Sequence, residues 1–167
     1  LAAGSTYTPI ATTTLGSAAA SYTFSSIPST YTDLILIVNG YTNHTGNQQI
    51  YFQPNADAGS NYSWTRIYGD GTSAGSDRAT SVGSGASGAS ISNSSSDIST
   101  VIFNILNYAN TTTYKTTLYR SNIAGAQVNA GVQLWRSTAA ISSLKLAIPN
   151  STYATGTTFT LYGIASA

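Results

Sequence analysis

The chain has 167 residues, enough for one domain that buries roughly two-thirds of the surface its unfolded form exposes. Only 7% of them are charged and the net charge is +1, so there is neither a phosphate-binding footprint nor a polybasic membrane patch, and nucleic acid and membrane insertion are excluded as partners. With no Cys, disulfides and thiolate metal sites are excluded too, while Ser and Thr, roughly 30% of the chain, suit a hydroxyl-coated β-structure.

Leu1-Ala-Ala-Gly lacks the basic start and apolar core of a signal peptide, and an opening on Leu rather than Met points to a removed initiator or leader. Residues 6 to 15 are β-prone, but Pro9 restricts them to an edge strand or an arm, so residues 1–15 read as a segment distinct from a single domain over 16–167. Tyr7, Pro9 and Ile10 are its candidate assembly contacts. Ala20 to Ile27 alternates, with Tyr22 and Phe24 on one face. Pro28-Ser-Thr30 then turns the chain into Leu34-Ile-Leu-Ile-Val38, the longest aliphatic run. So short a run, closed by Asn39-Gly40, reads as the central strand of a sheet, covered on both faces.

Gln49 to Gln53 is a short strand ended by Pro54, and Tyr62 to Tyr68 alternates again. Tyr62, Trp64, Arg66 and Tyr68 share one face of it. Core or interface packing is the favoured reading of that face; the alternative is a glycan site, because aromatic faces beside a fork of donors suit polyols. Residues 69–99 are mainly Gly, Ser, Asp and Ala, and read as a long exposed loop with one weak strand near Ala89 to Ser92. Thr100 to Tyr108 is a second strong strand, with Tyr114 to Arg120 as its hairpin partner. Gly131 to Arg136, Ile141 to Ile148 and Thr157 to Ala165 complete the set. Ile27-Pro-Ser-Thr-Tyr31 and Ile148-Pro-Asn-Ser-Thr-Tyr153 repeat one turn chemistry, Pro ending a strand and Ser or Thr bridging to the next. About ten short strands without a helix give an all-β, antiparallel β-sandwich, jelly-roll-like in form.

No catalytic constellation emerges. Gly83-Ser-Gly-Ala-Ser-Gly88 has dinucleotide-motif spacing but lacks the flanking strand and helix that give that motif its mechanism. The only histidine, His44, lies in a polar stretch, and no nucleophile elbow accompanies it. Asp33, Asp57, Asp70, Asp77 and Asp97 stand singly and there is no Glu, so neither a metal cluster nor a glycosidase pair can be nominated, and Asp70-Gly71 reads as a turn rather than a Ca²⁺ loop. Five glycosylation sequons, at Asn43, Asn61, Asn93, Asn110 and Asn150, are what chance supplies in a chain so rich in Asn, Ser and Thr. The expectation is a non-enzymatic protein without metal or cofactor.

Four stretches carry a family resemblance: Phe24 to Ile37, Asn61 to Gly71, Asn107 to Thr113 and Ala154 to Ile164. Their strand-and-turn phrases resemble tailed-phage virion proteins of the tail-fibre, minor-tail and decoration kinds. The resemblance implies a virion exterior module that joins other virion proteins and copies of itself and binds a host-surface glycan. That family has no established catalytic residues to carry over. Two rivals stand beside it. One is a glycan-binding module acting through Tyr62, Trp64 and Arg66; the other is a secreted filament subunit whose residues 1–15 add as a strand to a neighbour.

Overall fold

The computed structural model describes residues 6–165. Within them the period-2 runs form twelve strands: β1 (Tyr7–Thr14), β2 (Ser21–Phe24), β3 (Asp33–Gly40), β4 (Gln48–Pro54), β5 (Tyr62–Gly69), β6 (Ala74–Val82), β7 (Ala86–Ile91), β8 (Ser99–Ile105), β9 (Lys115–Ile123), β10 (Gln127–Trp135), β11 (Leu144–Ala147) and β12 (Thr158–Ile164). They make two sheets, an eight-stranded one in the order β1-β12-β3-β8-β9-β10-β5-β6 and a four-stranded one in the order β2-β11-β4-β7. Every pairing is antiparallel. The protein is an all-β sandwich without a helix among the described residues.

The core lies between the sheets. Leu34, Leu36 and Val38 of β3, Val101, Phe103 and Ile105 of β8, and Phe159 and Leu161 of β12 are all fully buried. They face Phe24, Ile50, Phe52, Leu144 and Leu146 of the smaller sheet. Phe52 stacks on Phe103 across the layers at 5.0 Å between ring centroids. The repeated Pro turns do the same job twice: one carries the chain from β2 to β3, the other from β11 to β12, each crossing from the small sheet to the large. At both, the Ile before Pro is buried, and its N–H donates to a carbonyl of another segment, Ile27 to Ser142 and Ile148 to Ala20.

Two sequence expectations need correction. Residues 69–99 are not one exposed loop: they contain β6 and also β7, which lies where the sequence places its one weak strand but is a buried edge strand of the smaller sheet, with Ser87, Gly88, Ala89, Ser90 and Ile91 enclosed. Small side chains offer little apolar area, but here they let the backbone approach the opposite sheet. Next, β3 is the third strand of eight rather than the central one. It is covered on one face only: Ile35 and Ile37 point away from the core and are half-buried, with no layer of the described residues above them. Of the two alternatives that Pro9 leaves open for the N-terminal segment, the structure has the edge strand: β1 pairs along β12 of its own chain, and residues 1–5 of that segment lie outside the described residues.

Candidate functional site

The alternation of β5 places Tyr62, Trp64, Arg66 and Tyr68 on one face, as expected, and in the structure that face is the inner one of the large sheet. Tyr62 is fully buried and its hydroxyl donates to the Asp57 carbonyl at 2.8 Å; burial, with Asp57 nearby, pushes this phenol up from its ordinary range. Arg66 lies between two rings, its guanidinium carbon 5.6 Å from the Trp64 ring centre and 5.1 Å from that of Tyr68. Its Nε and Nη2 donate to the two carboxylate oxygens of Asp77 at 2.6 and 2.8 Å. Its Nη1 donates to the Gly88 carbonyl of β7 at 3.1 Å. Bidentate pairing to Asp77 raises the Arg66 pKa further. A guanidinium so engaged has spent most of its fork on its own chain, and the two rings that would stack a sugar already sandwich it.

This cluster closes the open side of β7. The four-stranded sheet ends at β7, and an uncapped edge leaves unpaired backbone groups. Side chains of the larger sheet meet them: Arg66 serves the Gly88 carbonyl, Ser121 accepts from the Ser90 N–H at 3.1 Å, and Ser99 accepts from the Ser92 N–H at 2.8 Å. The strand must run very close to the larger sheet for this. A Cβ built on Gly88, where φ is +75°, would lie 2.5 Å from the Tyr119 hydroxyl and 3.1 Å from a Trp64 ring carbon. Two glycines of the nucleotide-like spacing, Gly88 and Gly85, therefore have a packing explanation, since Gly85 also has a positive φ, +69°, and a Cβ there would press on the Phe52 carbonyl.

The remaining singled-out residues are local turn and cap groups. Asp57 accepts from Trp135 Nε1 at 2.7 Å, Asn61 Nδ2 at 2.9 Å and the Gly59 N–H at 2.7 Å. The Trp135 bond foremost holds its carboxyl below the usual carboxylate range. Asp70 caps its own turn through the Thr72 and Ser73 N–H groups and is held down to about 2. Asp97 accepts from the Ala124 and Gly125 N–H groups of the β9–β10 turn, both at 2.9 Å. The His44 ring is bound within its own loop by Gln48 at 2.9 Å. Among the described residues no three His, Cys, Asp or Glu side chains come together as a metal site. In β1, the register shifts between Pro9 and Ala11, so that Ile10 and Ala11 both turn toward the core. Tyr7 stays 54% exposed and meets Tyr162 edge-on at 6.4 Å.

What sequence reasoning missed is the outer face of the eight-stranded sheet. Register aligns its outward residues into rows. One row runs Thr160, Ile37, Ile102, Arg120, Ala130, Ile67; the next runs Tyr162, Ile35, Asn104, Leu118, Val132, Thr65. Ile67 is 64% exposed, Val128 59% and Leu118 46%. A shallow groove of about 580 Å³ follows Ile67, Ala74, Ser76, Val128 and Ala130, and a smaller one of about 140 Å³ continues past Val128 to Arg120 and Ile102. The Arg120 guanidinium lies among these side chains without a hydrogen bond or ion pair among the described residues. The one signal in the sequence was the Leu34 to Val38 run, apolar on both of its faces.

The chain matches no protein-family model, and no curated protein matches its sequence.

Proposed function

We propose that the chain is a non-enzymatic structural module of a virion exterior, a decoration, appendage or fibre-tip protein that acts by assembling with other proteins through the outer face of its eight-stranded sheet. The observation that carries the assembly reading is β3, whose sequence is apolar on both faces while its own chain supplies a layer for only one. Exposed large apolar side chains gathered on one sheet face, here Ile67, Leu118 and Val128, mark an interaction site. The strand-and-turn phrases that resemble tailed-phage proteins support the virion setting. The chain's repeated passage between the two sheets supports a jelly-roll-type wrap for the sandwich. The engagement of Arg66 by Asp77 and Gly88 weighs against a glycan site at Trp64, and the pairing of β1 with β12 weighs against strand donation to a neighbour.

The test is immunogold labelling of purified virions from the virus that encodes the chain, using antibody raised against the isolated protein. Labelled particle exteriors are the expected result. Virions free of the antigen by both labelling and mass spectrometry would overturn the proposal.

A further inference from the structure

We propose that the partner covering the outer face is a second copy of this chain, so that two eight-stranded sheets stack face to face. This rests on the assembly reading above and names its occupant.

Shape comes first. The face is a pleated sheet surface, and the natural complement of such a surface is another one, because packed sheets interdigitate their side-chain rows at about 10 Å separation. A lone helix or loop would cover a few strands and leave the remaining rows in water. Area comes second. Eight strands at about 4.8 Å spacing, each about eight residues long at 3.3 Å per residue, span about 38 Å by 26 Å. That is about 1,000 Å² per copy, and a standard specific interface buries about 800 Å² per partner. Two copies meeting on this face would therefore form an interface of ordinary size.

Charge also permits it. The net charge of +1 gives two copies almost no mutual repulsion. The two aligned rows hold Arg120 as their one charged residue up to β5, with Arg78 beyond it on β6. A planar, weakly hydrated guanidinium is the cation best tolerated within an interface. Outward-facing Asn104, in the row beside Arg120, provides an amide oxygen for it on the facing copy, whereas Asn122 Oδ1 already accepts from the Thr100 N–H at 3.0 Å. On this arrangement Ile35 and Ile37 gain the second layer that their composition calls for.

Sedimentation equilibrium of the full chain tests the proposal over a wide concentration range. Wild type is expected at twice the 17.3 kDa chain mass. The double variant Ile67→Lys, Val128→Lys places two charges at exposed positions of the face and is expected to raise the dimer Kd by about tenfold or more. Thr23→Glu, on the outward side of the other sheet, is expected to leave Kd unchanged. If circular dichroism shows that the Lys variant does not fold, Ile67→Thr, Val128→Thr replaces it, since Thr keeps strand propensity while removing apolar surface. Wild type that stays at 17.3 kDa at the highest concentration overturns the proposal. So does a folded face variant whose Kd matches wild type, because the contact would then lie elsewhere. The two readings fail separately. Labelled virions with a monomeric chain would retain the virion role and remove self-stacking, whereas dimers broken by the face variant with unlabelled virions would do the reverse.

Discussion

Gly88→Ala is the sharpest probe of how β7 packs, and Gly71→Ala is its natural reference. Both glycines have left-handed backbones, at φ +75° and +87°, so both substitutions incur the same conformational penalty, about 1–2 kcal/mol for an L-residue. They differ in space. A methyl at Gly71, in the β5–β6 turn, meets nothing within 4 Å. At Gly88 it would press on the Tyr119 hydroxyl at 2.5 Å, the Trp64 ring at 3.1 Å and Arg66 Cδ at 3.3 Å, and these neighbours are themselves held between the sheets. Overpacking of this kind adds about 1–3 kcal/mol, so Gly88→Ala should cost about 2–5 kcal/mol in all. For a domain of this size that corresponds to a melting temperature about 5–15 °C lower. Urea titration of wild type and both variants measures the cost, with equal m-values confirming that the denatured states are comparable. Equal losses at the two glycines would mean that β7 does not press on the aromatic cluster, and the account of its closed edge would fail with it.

Leu36→Ala should cost about 2–5 kcal/mol because its side chain is fully enclosed, and Ile37→Ala, one residue on, should cost less than half as much at concentrations where the chain is monomeric. Similar losses at both sites in a monomer would contradict the assignment of inner and outer faces. The Asp57 carboxyl is held below its ordinary range when folded, so it contributes stability that is present above the unfolded carboxylate range near pH 4 and is lost as pH falls through the lower folded value. Asp57→Asn should therefore flatten the acid limb of a stability-against-pH curve, and an unchanged limb would show that the Trp135 bond does not hold the charge. Limited proteolysis should cut at the exposed Asp70 to Ser73 turn and spare Ser87 to Ser92, whereas early cleavage within the latter would restore the loop reading that composition suggests.

Local chemistry alone determined most strands of this protein. Leu34 to Val38, Tyr62 to Tyr68, Thr100 to Ile105 and the β8–β9 hairpin are legible because alternation and turn residues act between near neighbours, and the structure pairs β8 with β9 as the short connection requires. That Tyr62, Trp64, Arg66 and Tyr68 share one face follows from the same period, whereas which layer that face meets does not. Tertiary structure decided the rest. Nothing local tells β5 to pair with β10, or β3 to lie between β12 and β8, because those ladders join segments far apart in sequence. Nor does composition reveal that Ser87 to Ser92 is buried. Its small residues offer little apolar area, and they are buried because Arg66, Ser121 and Ser99 satisfy the backbone while Gly88 admits the aromatic face. Arg66 acquired its role in the same way: a donor fork that sequence presents as available for a ligand is taken up by Asp77, eleven residues on, and by Gly88 on the opposing sheet. The outer rows that include Ile37, Ile102 and Ile67 come from six strands with no common sequence pattern, and only the register of the ladders brings them onto one surface.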